Sequence, residues 1–388
     1  MPKGRPTARK APSLSIDELI RYERQIALPE VATAGQLRLK SSSVLVVGVG
    51  GLGTPAATYL AAAGIGRIGL ADGDVIEKSN LPRQFLFAES DVGRMKVEVA
   101  KARLSQVNPT TDVVTFPTRL DSSNAMKVMR SYDVVIDATD NLPARYLISD
   151  ACVFSGKLDV YASALRFDGQ ASVFCAPEGP CYRCLYPQPP PPESVESCED
   201  AGVLGAVPGV MGLVQAIQAI NVLLGEGSPL VGRLLVFSGR DSTFEEVRIK
   251  KNPGCPVCGR SPTNRGLIDY EEFCGTKVAG GAAALDIEPS ELDESIRRGE
   301  KPILLDVREP YEYEICHLEG AKLIPVGQIP DRMKELDPSR SIVVYCHHGI
   351  RSAAVTRILR GAGYAGVTNL KGGIEAWRQQ VDPSMPGY

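Results

Sequence analysis

The chain has 388 residues, is 44% hydrophobic and 23% charged, and carries a formal net charge of −3 at pH 7. That length accommodates two or three domains, and the composition is that of an ordinary soluble protein able to bury a large core. The charge balance gives no reason to expect direct nucleic-acid binding, and ten cysteines in so long a chain do not make a secreted disulfide framework.

Residues 1–14 read as a disordered tail, basic and Pro-rich with Lys3, Arg5, Arg9 and Lys10, and without the apolar core of a signal peptide. Metal binding or thiol chemistry in a reducing, cytoplasmic compartment is therefore expected of the cysteines. Ser15 caps a predicted helix, with Glu18 at the capping-box position. Arg24 follows in that helix, and on composition alone it is a surface charge.

Residues 44–47 are a short apolar run suited to a buried strand. Gly48, Gly50 and Gly53 then fit G-x-G-x-x-G, with Gly51 in addition, and residues 54–63 continue as an Ala-rich helix. Strand, glycine turn and helix together give the motif its mechanism: glycine lets the backbone approach a phosphate, and free amides at the helix start point at it. A second strand at 68–71 ends at Asp72, placed to accept hydrogen bonds from a ribose. By itself the pattern reads "nucleotide", with NAD or FAD as the default and an unliganded turn as the bland alternative.

A polar stretch containing Asp74, Ser79, Asn80, Leu81, Pro82, Arg83 and Gln84 follows, and Lys96 lies at the start of a predicted helix over 95–106. Strands are expected at 113–116 and over 133–141, the second ending in polar residues. In an open α/β sheet, ligands lie beyond the carboxyl ends of the strands, so Asp137, Asp140 and Asn141 share a rim with Gly50 and Asp72. A carboxylate there, beside bound phosphates, is placed to hold Mg²⁺ through oxygen. Asp140 and Asn141 also suit a helix N-cap, and the two roles are compatible.

Residues 160–175 read as a hairpin turning at Phe167, Asp168 and Gly169. The pairs Cys181/Cys184 and Cys255/Cys258 are C-x₂-C knuckles whose four thiolates suit a closed, structural Zn²⁺ site. A redox C-x-x-C is the alternative. Between them, prolines at 187 and 189–192 favour an extended, exposed segment leading to Cys198, an isolated thiol in a polar context. Cys152, Cys175, Cys274 and Cys316 read as packing. Two uncharged windows, 41–66 and 201–225, are long enough to resemble membrane spans. The first is the βα unit; the second contains Pro208 and the polar series Gln215, Gln218, Asn221, and reads as a core or dimer-interface helix.

Residues 261–284 read as a linker, and a second domain is expected over 285–388. Its strand at 341–345 runs directly into Cys346, His347, His348, Gly349, Ile350 and Arg351, then into a helix. A cysteine at a strand-to-helix turn sits where backbone amides and the helix dipole favour an anion, which suits a thiolate or persulfide. His347, His348 and Arg351 add donors or positive charge.

These motifs carry a family resemblance. Residues 15–260 resemble the molybdopterin-synthase adenylyltransferase (MoeB/ThiF) family, bacterial relatives of ubiquitin-activating enzymes, through the Arg21–Gln25 run, the glycine loop, Asp72 to Asp74, the 79–84 run, Lys96, the 138–141 run and both knuckles. Residues 285–388 resemble a rhodanese domain through Leu305-Asp-Val-Arg308, Glu312, the His317 run, the Cys346 loop and the 370–377 run. Cys316 departs from the rhodanese pattern, which usually has glycine there, and is expected to alter packing only. The fusion is similar to the MoeZ/MoeBR type. The implied fold is α/β: a Rossmann-like ubiquitin-activating-enzyme-type domain with structural zinc, plus a smaller α/β rhodanese domain.

The resemblance implies ATP rather than NAD. It implies adenylation of the C-terminal Gly-Gly carboxylate of a ubiquitin-like sulfur-carrier protein, then sulfur transfer from a Cys346 persulfide loaded by a cysteine desulfurase or another donor. Arg83 and Lys96 match phosphate-contacting residues, Asp140 the Mg²⁺-binding aspartate and Asp72 the ribose contact. Cys198 matches a cysteine that forms a thioester or resolves an acyl disulfide, and Arg24 an arginine reaching the partner subunit's ATP in a homodimer. An NAD-dependent oxidoreductase leaves the arginines, Lys96 and the second domain unexplained. A non-catalytic scaffold leaves the intact set Asp72, Arg83, Lys96, Asp140 and Cys346 unexplained.

Overall fold

A computed structural model describes residues 13–190, 201–275 and 286–388. The chain divides into two compact units, Met1–Thr276 and Lys277–Tyr388.

The first unit is built on an eight-stranded sheet in the order β3-β2-β1-β4-β5-β6-β7-β8. Its strands are β1 (Ser43–Val47), β2 (Arg67–Ala71), β3 (Asp112–Phe116), β4 (Val134–Asp137), β5 (Leu158–Leu165), β6 (Asp168–Phe174), β7 (Arg233–Ser238) and β8 (Thr243–Arg248). The pairs from β3 to β5 are parallel; β6, β7 and β8 continue antiparallel. Val47 is in register with both Ala71 and Asp137, so β1, β2 and β4 end level with one another. Apolar residues of β1 are buried on both faces, as a central parallel strand requires. Chain order reverses between β2–β1 and β1–β4, which makes the β1/β4 junction the topological switch point where such sheets bind ligands.

The helix Ile16–Arg21 carries the expected capping box of Ser15 and Glu18. The β5–β6 hairpin turns at Arg166 and Phe167, with Arg166 in the left-handed region. The apolar helix Ala206–Leu224 has the length and composition to cross a membrane, yet much of it is buried inside the unit. A Cβ on Gly212 would meet Leu52 O at 2.2 Å, so the helix packs close against the glycine-loop segment. Its buried Gln215 donates to Asp137 O (2.6 Å) and Val160 O (2.9 Å).

The linker expected over 261–284 differs in its first part. Leu267, Ile268, Tyr270 and Phe273 pack on the first unit's core, and a short helix, Tyr270–Phe273, is capped by Asp269. Four apolar side chains in an otherwise largely polar stretch suffice to fold it back. Residues 276–285 lie outside the described residues.

The second unit is a five-stranded parallel sheet in the order β11-β10-β12-β13-β9. Its strands are β9 (Asp286–Ile287), β10 (Ile303–Asp306), β11 (Lys322–Leu323), β12 (Ile342–Tyr345) and β13 (Val367–Leu370). Alternation along β10 and β12 sends Leu305, Ile342 and Val344 to one apolar cluster and Leu304, Val343 and Tyr345 to the other, so both faces are covered.

Candidate active sites

The glycine loop is held by backbone contacts that only glycine permits. Gly48 has φ +87°, and a Cβ there would lie 2.7 Å from Ala138 O; at Gly53 a Cβ would lie 1.9 Å from Gly48 O. Gly50 is different. The one atom near its Cβ position is Gln84 Nε2 at 3.7 Å, so its backbone faces open space at the switch point. Gly51 packs on Pro208. The helix Gly53–Ala63 starts directly beyond; Thr54 N donates back to Gly50 O at 3.0 Å and Pro55 has no N–H, so the first turn has few amides to offer a ligand. Buried Gln84 Oε1 has no partner among the described residues. An uncrowded glycine backbone at Gly50, with the Gln84 Nε2 donor beside it, fits the close approach of a nucleotide phosphate.

Asp72 accepts from Val49 N at 2.7 Å and Asp74 N at 2.8 Å. Burial pushes its carboxyl up, opposed by the Lys96 charge. Lys96 pairs with Asp74 at 3.1 Å, and Arg119 pairs with the same carboxylate at 2.9 Å. Burial opposes ionisation of Asp74, but Arg119 and Lys96 prevail and hold it below the usual range. Arg119 was not singled out by any motif. Its position just beyond the carboxyl end of β3, on the same rim, was the available signal. In the 79–84 loop, Asn80 Oδ1 accepts from Glu77 N (3.1 Å), Ser79 Oγ donates to Glu77 (3.4 Å), and Arg83 Nη1 donates to Ser79 O (2.9 Å). Leu81 and Pro82 form its turn, and Pro82 O approaches the Cβ position of Gly205 to 2.2 Å.

Asp140 is exposed on the rim beyond β4. Asn141 is the N-cap of helix Leu142–Ser155, accepting from Ala144 N at 3.0 Å. Asp137 is buried beneath them and accepts from Thr139 N (3.0 Å) and Thr139 Oγ1 (2.6 Å), which fixes the turn that presents Asp140. In-register pairing of Val135 with Asp159 and Asp137 with Tyr161 puts Asp159 on the same sheet face as Asp137. Both Asp159 oxygens are buried without a hydrogen-bond partner among the described residues, and burial followed by the Asp137 charge pushes this carboxyl well up.

The knuckles converge. The Sγ atoms of Cys181, Cys184, Cys255 and Cys258 lie within 4.8 Å of one another, with Cys181–Cys184 at 3.8 Å, Cys181–Cys255 at 3.6 Å and Cys184–Cys258 at 3.4 Å. Four sulfurs about 2.3 Å from a tetrahedral zinc are about 3.8 Å apart, so the set fits that ion. Arg183, between the first two thiols, is buried and bidentate on Asp150 (2.9 Å), which also accepts from Tyr270 OH at 2.8 Å.

In the second unit, Cys346 is buried at the end of β12, and its Sγ accepts from Gly349 N (3.1 Å) and Ser352 Oγ (3.3 Å). Gly349 has φ +88° and opens the helix Ile350–Gly361. Gly373 supports the loop from behind, since a Cβ there would meet His347 O at 2.2 Å. Arg351 is bidentate on Glu312, both contacts 2.8 Å. Burial, then His348, pushes His347 down to about 4, so its ring is neutral at pH 7 and Arg351 is a fixed positive charge of the loop. Asp306 and Arg308 form a fully buried ion pair under the loop, with Arg308 also donating to Cys316 O at 2.7 Å. Arg24, on the helix Glu23–Ile26, is exposed, and Cys198 lies outside the described residues.

A glycine loop at the switch point of an open α/β sheet, and a cysteine in an amide-lined turn of a second α/β unit, define a nucleotide-handling enzyme coupled to a thiol-centred one. Comparison with known proteins agrees. The ThiF family model matches residues 22–257, and the rhodanese-like domain model residues 288–380. The probable adenylyltransferase/sulfurtransferase MoeZ of Mycobacterium tuberculosis is 41% identical over 99% of this chain and 98% of its own length. Adenylyltransferase and sulfurtransferase MOCS3 of Drosophila ananassae is 45% identical over 97% of this chain and 86% of its own. Among solved structures, E. coli MccB with ATP is 25% identical with TM-score 0.54, covering 62% of this chain and 74% of that one. The chain belongs to the ThiF family, in its adenylyltransferase/sulfurtransferase branch with a rhodanese-like domain on the same chain.

Proposed function

We propose that the first unit uses ATP to adenylate the C-terminal Gly-Gly carboxylate of a ubiquitin-like sulfur-carrier protein, and that Cys346 then delivers sulfur to the activated carbonyl. The observation that carries this is the pairing, on one chain, of an open glycine cradle at Gly50 with a cysteine whose sulfur is held by an amide and a hydroxyl. Relatives named for both activities match nearly the whole chain.

A carrier carboxylate oxygen attacks the ATP α-phosphorus; the bond to the bridging oxygen breaks, and pyrophosphate leaves with the electron pair. This step needs positioning and charge neutralisation more than proton transfer. Asp72 meets the ribose, Arg83 and Lys96 meet the phosphates, and Arg24 reaches the partner's nucleotide in a homodimer. Asp140 would hold Mg²⁺, which neutralises triphosphate charge; the four-cysteine cluster would hold Zn²⁺ as a structural ion.

At the second unit a desulfurase or another sulfur donor leaves a persulfide on Cys346. Its terminal sulfur attacks the acyl carbonyl and AMP departs. A thiolate, with Cys198 the candidate in this chain, then cleaves the resulting acyl disulfide to release carrier thiocarboxylate and a protein disulfide, which an external dithiol reduces. The proposed setting is cytoplasmic. Exchange of labelled pyrophosphate into ATP, dependent on a Gly-Gly carrier, tests the first half; its absence with every such carrier tried overturns it.

A further inference from the structure

Beyond the helix Gly373–Gln380 the chain turns back on itself. Asp382 N donates to Trp377 O at 3.2 Å, Met385 N to Asp382 O at 3.1 Å, and Met385 packs against the apolar cluster that contains Leu292 and Trp377. This turn delivers Tyr388 to the Cys346 loop. Its ring stacks on His347, centroids 4.3 Å apart and planes 10° from parallel, and His347 stacks in turn on His348 at 3.9 Å. Its hydroxyl accepts from Arg308 Nη1 at 2.5 Å and donates to Glu312 Oε1 at 3.1 Å. Glu312 is the carboxylate that grips Arg351.

We propose that Tyr388 is a positioning residue for sulfur transfer, seating Arg351 through Glu312 and packing His347 at the mouth of the Cys346 loop. The geometry gives the hydroxyl a specific task. It passes a hydrogen bond from the Arg308 cation to the Oε1 that also receives Arg351 Nη2. Without it, a buried Arg308 donor loses its acceptor and turns to Glu312, in competition with Arg351. Arg351 then sits less well to receive an anionic sulfur donor. Burial pushes the phenol up, so it stays a neutral donor throughout the working pH range.

This inference rests on the sulfurtransferase reading, and one set of assays separates the two. Thiosulfate-to-cyanide sulfur transfer is measured in wild type, Cys346→Ala, Tyr388→Phe, Glu312→Gln and the Tyr388→Phe/Glu312→Gln double variant. Tyr388→Phe keeps the stacked ring and loses only the hydroxyl. It is expected to raise KM for thiosulfate about fivefold with kcat within about twofold, the split that marks lost binding rather than lost chemistry. The double variant should be no worse than the poorer single one, because both act on one network. Unchanged KM in Tyr388→Phe, activity that falls only with the folded fraction, or fully additive losses each overturn the positioning role and leave the sulfurtransferase reading standing. A folded wild type with no Cys346-dependent transfer overturns both.

Discussion

The Val49 amide donates to Asp72 Oδ2 at 2.7 Å, tying the glycine loop after β1 to the acidic end of β2. Asp72 Oδ1 accepts from Asp74 N at 2.8 Å, and Asp74 in turn holds Lys96 and Arg119. One carboxylate thus links the glycine loop to the turn whose Asp74 holds both cations. Glycine positions in this loop should therefore separate into those that build the cradle and those that admit the ligand.

Gly53→Ala drives a methyl into Gly48 O, a backbone atom that has nowhere to go. It should cost roughly 1–3 kcal/mol of stability, as overpacking does, and be seen as a lower Tm. Gly50→Ala meets nothing nearer than a side-chain amide. It should leave Tm unchanged and weaken ATP binding on the order of tenfold, because the methyl occupies space that the phosphate backbone approach requires. Calorimetric titration with ATP and a melting curve on the same sample distinguish the two variants.

The sulfur spacing of the cysteine cluster makes metal content a direct expectation. As purified, the protein should contain about one zinc per chain by elemental analysis, and Cys255→Ser should lose it. Arg183 lies between two of the ligands in sequence, holds the Asp150 carboxylate to which Tyr270 OH also donates, and sits over the Phe273 ring, so metal loss should also loosen the Tyr270–Phe273 segment. The expected fall in Tm is on the order of 10 °C for a unit of this size losing a few kcal/mol.

Asp159 gives a pH-dependent expectation with a definite sign. Its folded pKa is raised by burial and by Asp137. Its contribution is therefore favourable below its unfolded value, near 4, and is lost as pH rises through the folded value. At neutral pH the folded state either keeps the proton or buries an unpaired charge. Asp159→Asn removes that penalty without changing the side chain's shape. Its Tm should exceed wild type by a few degrees near pH 8, with the gain shrinking toward pH 4, about 1 kcal/mol moving Tm by about 2–4 °C in a domain this large. A gain that grows on acidification would contradict the buried, proton-holding environment.

The sequence carried the parts of both sites that are local. Residues 44–53 named the strand, turn and helix because period and glycine spacing are read within ten residues, and the Cys346 loop was equally compact. The paired knuckles were legible because C-x₂-C repeats at both ends of their separation. What escaped was long-range. Arg119 reaches Asp74 only because β3 pairs beside β2, and Tyr388 reaches Glu312 only through the turn at Asp382. Asp159 became noteworthy through in-register pairing with β4, which sets it on the Asp137 face. The stretch after 261 looked like a linker because Gly, Ala and charged residues dominate its composition, while a few apolar side chains decide its packing.

The division of labour between the two units is the central claim, and carrier-dependent pyrophosphate–ATP exchange tests it most directly. Cys346→Ala should exchange at the wild-type rate while losing thiosulfate sulfur transfer. Asp140→Ala should lose exchange by at least about a hundredfold, the scale of removing charge stabilisation at a transition state, while keeping sulfur transfer. Loss of exchange in a folded Cys346→Ala protein would contradict the account.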